Sequence, residues 1–158
     1  MRFALLLVAV ATPALASSGK VTASNGVEVQ WNSDDFTGNK VFYSPKVKGW
    51  NTIRVVAPAG GQPHLLGQVV ARVRTVDAVY RGGAPVDARV INAEFAGCRA
   101  YCSYMLTYRI NVSDEELAAH TEAGVLPIRI ETGETRDVVS IPLQYFAAVR
   151  EAANGTRP

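Results

Sequence analysis

The chain has 158 residues, with 16 lysines and arginines against 14 aspartates and glutamates, for a formal charge of +2 at pH 7. So nearly neutral a chain has no overall field to draw phosphates or anionic lipid, and its basic residues are scattered, which argues against a nucleic-acid partner. Two cysteines, Cys98 and Cys102, and two histidines, His64 and His120, leave few residues for nucleophilic or metal chemistry.

The N-terminus carries the three parts of an export signal in order. Arg2 is a positive start, Phe3 to Ala11 (FALLLVAVA) is apolar, and Ala14-Leu15-Ala16 places small residues where a signal peptidase reads. The apolar run is well short of the roughly twenty residues that span a bilayer. Cleavage is expected after Ala16, leaving residues 17–158 as a single β-rich domain, periplasmic or secreted. No cysteine follows the cut to take a lipid anchor, and no later segment is apolar enough to span a membrane.

Period-two alternation dominates the rest. Val27, Val29 and Trp31 point one way, with Glu28 and Gln30 between them. Asp34 to Gly38 reads as a turn, Val41 to Ser44 and Asn51 to Ala57 as strands, and Pro58 to Pro63 (PAGGQP) as a loop. Gln68 to Tyr80 reads as one strand whose phase slips near Thr75 and Val76, as at a bulge or bend. Its Arg72 and Arg74, with Arg81 after it, suit a solvated strand face. After the turn Arg81 to Pro85 comes a strand from Val86 to Phe95.

From Cys102 to Val112 the alternation is nearly perfect. Tyr104, Leu106, Tyr108, Ile110 and Val112 share the core face, and Ser103, Met105, Thr107, Arg109 and Asn111 the wetter one. A short helix follows. Ser113 is an N-cap with Glu116 three residues on, Val112 and Leu117 can staple its entry, and Gly124 can stop it. Val125 to Glu131 and Arg136 to Ile141 form a hairpin about Thr132 to Thr135. Pro142 can open a last helix, whose Tyr145, Phe146, Val149, Ala152 and Ala153 make one apolar face. The expected architecture is mainly β: an antiparallel sandwich or barrel-like sheet with one short helix and a C-terminal helix. No βαβ rhythm supports a doubly wound nucleotide-binding fold.

An even cysteine pair in an exported chain reads as a disulfide. Residues four apart on an extended strand lie about 13 Å apart, beyond the roughly 7 Å that bridging allows. Residues 98–102 must therefore curl, and the bridge would pin the corner between two strands. The sharper alternative is copper, since a C-x-x-x-C pair with Met105 nearby offers soft ligands; a third strong ligand is missing, as neither His64 nor His120 is patterned with them. No metal or cofactor is expected.

Several of these motifs together resemble a group of small, uncharacterised exported bacterial proteins: Asp35-Phe36-Thr37-Gly38, then Cys98-x-x-x-Cys102-Ser103-Tyr104, Ser113-x-Glu115-x-Leu117, and Ile141-Pro142 before a terminal helix. The resemblance spans most of residues 17–158. It implies one exported domain and carries over no catalytic residue.

No catalytic constellation is legible. There is no G-x-S-x-G elbow, Asp34-Asp35 suits a turn, and Asp114-Glu115-Glu116 suits a helix start. The expectation is a non-enzymatic binding or structural module of the cell envelope, its partner another envelope protein. Two alternatives stand beside it: a carrier of a small apolar ligand lined by Trp31, Trp50 and the tyrosines, and a copper or thiol protein using Cys98 and Cys102.

Overall fold

The computed structural model describes residues 17–34, 37–47, 52–80, 83–133 and 135–155. The signal segment 1–16, Asp35-Phe36 of the early motif, Trp50 and Arg81 lie outside the described residues. In chain order the elements are β1 (Ser18–Thr22), β2 (Glu28–Ser33), β3 (Lys40–Tyr43), β4 (Thr52–Pro58), β5 (His64–Ala71), β6 (Asp77–Tyr80), β7 (Pro85–Cys98), β8 (Cys102–Asn111), α1 (Asp114–Ala119), β9 (Val125–Thr132), β10 (Thr135–Pro142) and α2 (Leu143–Gly155).

The ten strands form one antiparallel sheet in the order β1-β2-β3-β4-β5-β8-β7-β6-β9-β10, curled into a half-barrel. Its inner face takes every second residue, as alternation dictates. On β8, Leu106, Tyr108 and Ile110 are fully buried, while Tyr104 and Val112 pack at the rim of the core. Leu65, Val69 and Ala71 of β5 lie beside them in register, with Leu65 opposite Ile110 and Val69 opposite Leu106. Gly67 faces Tyr108, whose ring fills the space where a side chain would stand: a Cβ there would lie 2.2 Å from the Tyr108 ring.

Helix α2 packs its Phe146, Val149, Ala152 and Ala153 face against β2, β3, β4 and β10, so it touches strands from both ends of the sheet order. It is also fastened at turns. Glu151 accepts from the Ser24 N–H at 2.9 Å and the Ser24 hydroxyl at 2.6 Å, the Gln144 carbonyl accepts from Asn25 Nδ2 at 2.9 Å, and the Ala153 carbonyl from the Gly60 N–H at 3.0 Å. At α1, the Ser113 hydroxyl accepts from the Glu116 N–H at 3.2 Å. The chain then turns through Gly124, whose φ of +67° suits glycine.

Three readings of the sequence change. Gln68 to Tyr80 is two strands: β5 ends at Ala71, residues 72–74 bend, and β6 joins the sheet on the far side of β8 and β7. The slip in phase marks a change of partner, because a strand that leaves the sheet restarts its alternation elsewhere. Pro142 closes β10 instead of opening the last helix, and α2 begins at Leu143. Ser18–Thr22 is a strand that its short, polar, glycine-containing sequence does not advertise. It is the edge strand β1, and the Trp31 indole lies over its Gly19.

Strand β7 is long and only partly accompanied. β6 pairs with it at Pro85 and Val86 alone, and from Asp87 to Cys98 its ladder partner is β8. Register shifts after Val90 and Phe95 bend this stretch, and Ile91 and Phe95 stand exposed. The β7–β8 hairpin therefore reaches beyond the covered part of the sheet.

Candidate functional site

The hairpin tip is closed by the disulfide between Cys98 and Cys102, whose Cα atoms lie 4.0 Å apart. These two cysteines end β7 and begin β8, so the bridge pins the corner between two strands as the spacing required. Both sulfurs are joined in this bridge, and among the described residues there is no free cysteine. Met105 lies on the opposite face of β8 from Tyr104, paired with Val70 and Glu94 on the outer side of the sheet.

Around this tip the chain gathers arginines and aromatic rings. The bend after β5 lays Arg72 over the Tyr101 ring, 4.2 Å from its centroid, and Arg74 over the Tyr104 ring at 4.3 Å. Phe95 meets Tyr104 edge to face at 6.2 Å. Tyr101 and Phe95 are 65% and 64% exposed, the two largest exposed aromatic surfaces among the described residues. Stacking on a ring holds a guanidinium in place while leaving its N–H groups to bind in plane. Among the described residues Arg72, Arg74 and Arg99 at this tip make no ion pair, nor do Arg54 and Arg109 elsewhere, whereas Arg89, Arg129, Arg136 and Arg150 each meet a carboxylate.

Two adjoining clefts meet at this point. One, of about 480 Å³, lies against the disulfide loop and is lined by Arg72, Gly97, Cys98, Arg99 and Tyr101. The other, of about 740 Å³, runs from Val70 and Arg72 to the β9–β10 turn, where Thr132, Gly133 and Thr135 form its wall. Arg72, Tyr101 and Ser103 line both, so the clefts form one groove crossing the Arg72–Tyr101 pair. A third cleft, of about 450 Å³ and mainly apolar, lies between α1 and α2, with Leu117, Leu143 and Phe146 inside and Asp114 and Arg150 at its edge.

The other residues weighed from the sequence do not converge. His64 sits at the start of β5, where burial first and the Arg109 cation second push its imidazole below the ordinary 6.5. His120 ends α1 with Nδ1 2.9 Å from the Glu116 carbonyl. Trp31 lies under Lys40 at 4.9 Å, far from the disulfide tip in the sheet order. The tyrosines scatter as well: Tyr108 is in the core, Tyr80 is buried on β6, Tyr101 is at the tip. The inner face they were expected to line is filled by side chains from β2 to β10. Among the described residues no three or more histidine, cysteine or acidic side chains cluster as a metal would need, and no helix is long and apolar enough to cross a membrane.

Sequence reasoning passed over the arginine–aromatic groove. In the sequence Arg72 and Arg74 suit only a solvated strand face. The signal available was the loss of phase that follows them, and Tyr101 between the two cysteines. No family model, no curated protein and no solved structure matches this chain.

Proposed function

We propose that this chain is a non-enzymatic exported module of the cell envelope that binds its partner through the disulfide-clamped end of the half-barrel. The observation that carries this reading is the meeting, at one end, of ring-stacked arginines without carboxylate partners, exposed aromatic rings and a groove. Exposed aromatic rings gathered beside a groove mark a binding surface, and arginine is among the residues such surfaces favour. The disulfide fits the reading because a binding edge at a hairpin tip needs rigidity that a protruding hairpin lacks by itself. Export enters through the signal-like residues 1–16 and the oxidised cysteine pair.

Co-sedimentation with isolated envelope material tests it. The exported protein, with an intact mass matching cleavage after Ala16, should sediment. A folded Arg72→Glu/Tyr101→Ala variant should stay in the supernatant, with folding checked by circular dichroism. A retained Met1, or a variant that sediments like the native chain, overturns the reading.

The mainly apolar cleft between α1 and α2 favours a second reading, in which a small apolar ligand binds outside the sheet instead of within it. Enhanced fluorescence of an apolar dye that is lost on Leu117→Asp would support it. A dye signal unchanged by that substitution would exclude this cleft.

A further inference from the structure

We propose that the groove crossing Arg72 and Tyr101 binds a linear oligosaccharide that carries carboxylate groups. This rests on the reading that the disulfide-clamped end is the binding surface.

Four features of the groove specify that chemistry. Charge comes first: Arg72 and Arg99 line the cleft beside the disulfide and lack ion-pair partners among the described residues. A guanidinium held over a ring presents parallel N–H donors, which match the two oxygens of a carboxylate. Second, the Tyr101 ring is covered by Arg72 on one side yet remains 65% exposed, so it keeps an open surface for a flat, partly apolar body such as the C–H face of a pyranose. Third, hydroxyls come from Ser103 where the clefts meet and from Thr132 and Thr135 on the far wall. The Ser103 hydroxyl already donates to the Gly97 carbonyl at 3.3 Å and so has its lone pairs left to accept from a ligand hydroxyl. Fourth, the groove is long, since its two clefts of about 480 and 740 Å³ run on from each other through shared residues. That shape suits several sugar units in a row rather than one compact molecule.

Other anionic partners fit less well. An acidic peptide would add to the open edge of β7 beside the groove, but its acidic side chains offer no flat body to place on Tyr101. A bilayer would meet the protruding tip at Phe95 and Arg99 without filling the groove between Arg72 and the β9–β10 turn. A phosphate polymer has charge but no ring body to place on Tyr101.

Isothermal titration calorimetry of the disulfide-intact protein tests the proposal with a galacturonate tetramer as probe and its methyl ester as control. The ester keeps the rings and removes the charge. The tetramer should bind, and the ester should bind at least about tenfold more weakly, as loss of bidentate charge-assisted bonds implies. Arg72→Gln and Tyr101→Ala should each weaken tetramer binding by about tenfold, Arg72→Lys should fail to restore it, and Arg89→Gln, on the outer face of β7, should leave it unchanged. Circular dichroism and urea unfolding confirm that each variant folds. The proposal is overturned if the tetramer does not bind, or if the ester matches it. It is equally overturned if polyglutamate, polyphosphate or phosphatidylglycerol vesicles bind as tightly. Should the native protein still sediment with envelope material in a way that needs Arg72 and Tyr101, only the ligand class falls. Should it not, the reading of this end as a binding surface falls with it.

Discussion

Tyr108 holds the one core side chain whose polar atom is out of place. Its ring lies over Gly67 and its hydroxyl is buried with no hydrogen-bond partner among the described residues. An unmade bond on a buried hydroxyl costs about 1–3 kcal/mol. Tyr108→Phe is therefore expected to raise stability by about 1 kcal/mol in urea unfolding; a loss of stability would mean that the hydroxyl has a partner. Burial, with Asp137 adding to it, also holds the Tyr108 phenol above its ordinary pKa of 10.0, and burial together with Glu116 does the same to Tyr80. An acid whose pKa is raised by folding keeps its proton longer in the native state. The phenols' contribution to stability should thus be complete below pH 10.0 and fall as pH rises past it, less steeply in Tyr108→Phe. Leu106, fully buried two residues away, has no such conflict, and Leu106→Ala should cost about 2–5 kcal/mol. The inward placing of Leu106 and Tyr108 was legible because β8 alternates without a break. The orphan hydroxyl was not, nor was the stacking of Arg72 on Tyr101, since each depends on a residue from another strand or bend that no local pattern names.

The elements most legible in the sequence are those set by contacts within a few residues. The α1 start follows from Ser113 and three acidic residues, and the β9–β10 hairpin from two apolar runs around Gly133. Ser113→Ala should lower stability by about 1 kcal/mol, because it frees the Glu116 N–H; no change would show that the cap is idle. The β7–β8 hairpin was legible through its cysteines. A bridge closing so few residues restricts the unfolded chain modestly, so Cys98→Ser/Cys102→Ser should lose about 2 kcal/mol and keep the fold. If the proposed binding end works as described, the same variant should bind more weakly than its stability loss alone explains. Along β7, Asp87, Arg89 and Glu94 together with two register shifts guard a strand edge that would otherwise invite pairing with other chains. β1 escaped notice for the opposite reason: an edge strand with little to bury needs no apolar pattern.

Strand order was the least legible feature of the whole molecule. Placing β5 beside β8 and sending β6 to the far side of β7 depends on pairings between residues distant in sequence, and alternation says which face is buried without saying which neighbour is met. The α2 brace has the same character, for Glu151 reads as a solvated helix residue until Ser24 is seen beside it. The two bonds from Ser24 hold the Glu151 carboxyl below its ordinary 4.5. A carboxylate whose pKa folding lowers adds stability above that value and loses it as pH falls through the native one. Stability should therefore fall as pH drops below the ordinary 4.5, and Glu151→Gln, less stable at neutral pH, should lack that part of the acid dependence; an unaltered acid limb would show the contact to be incidental. Helix α2 also follows in sequence every strand it fastens. A chain synthesised from its N-terminus has made all ten strands before the segment that grips the Ser24 and Gly60 turns exists. Completion of the fold waits on that segment, and on the export reading that delay would leave the polypeptide slack enough to be threaded through a translocation pore before it sets.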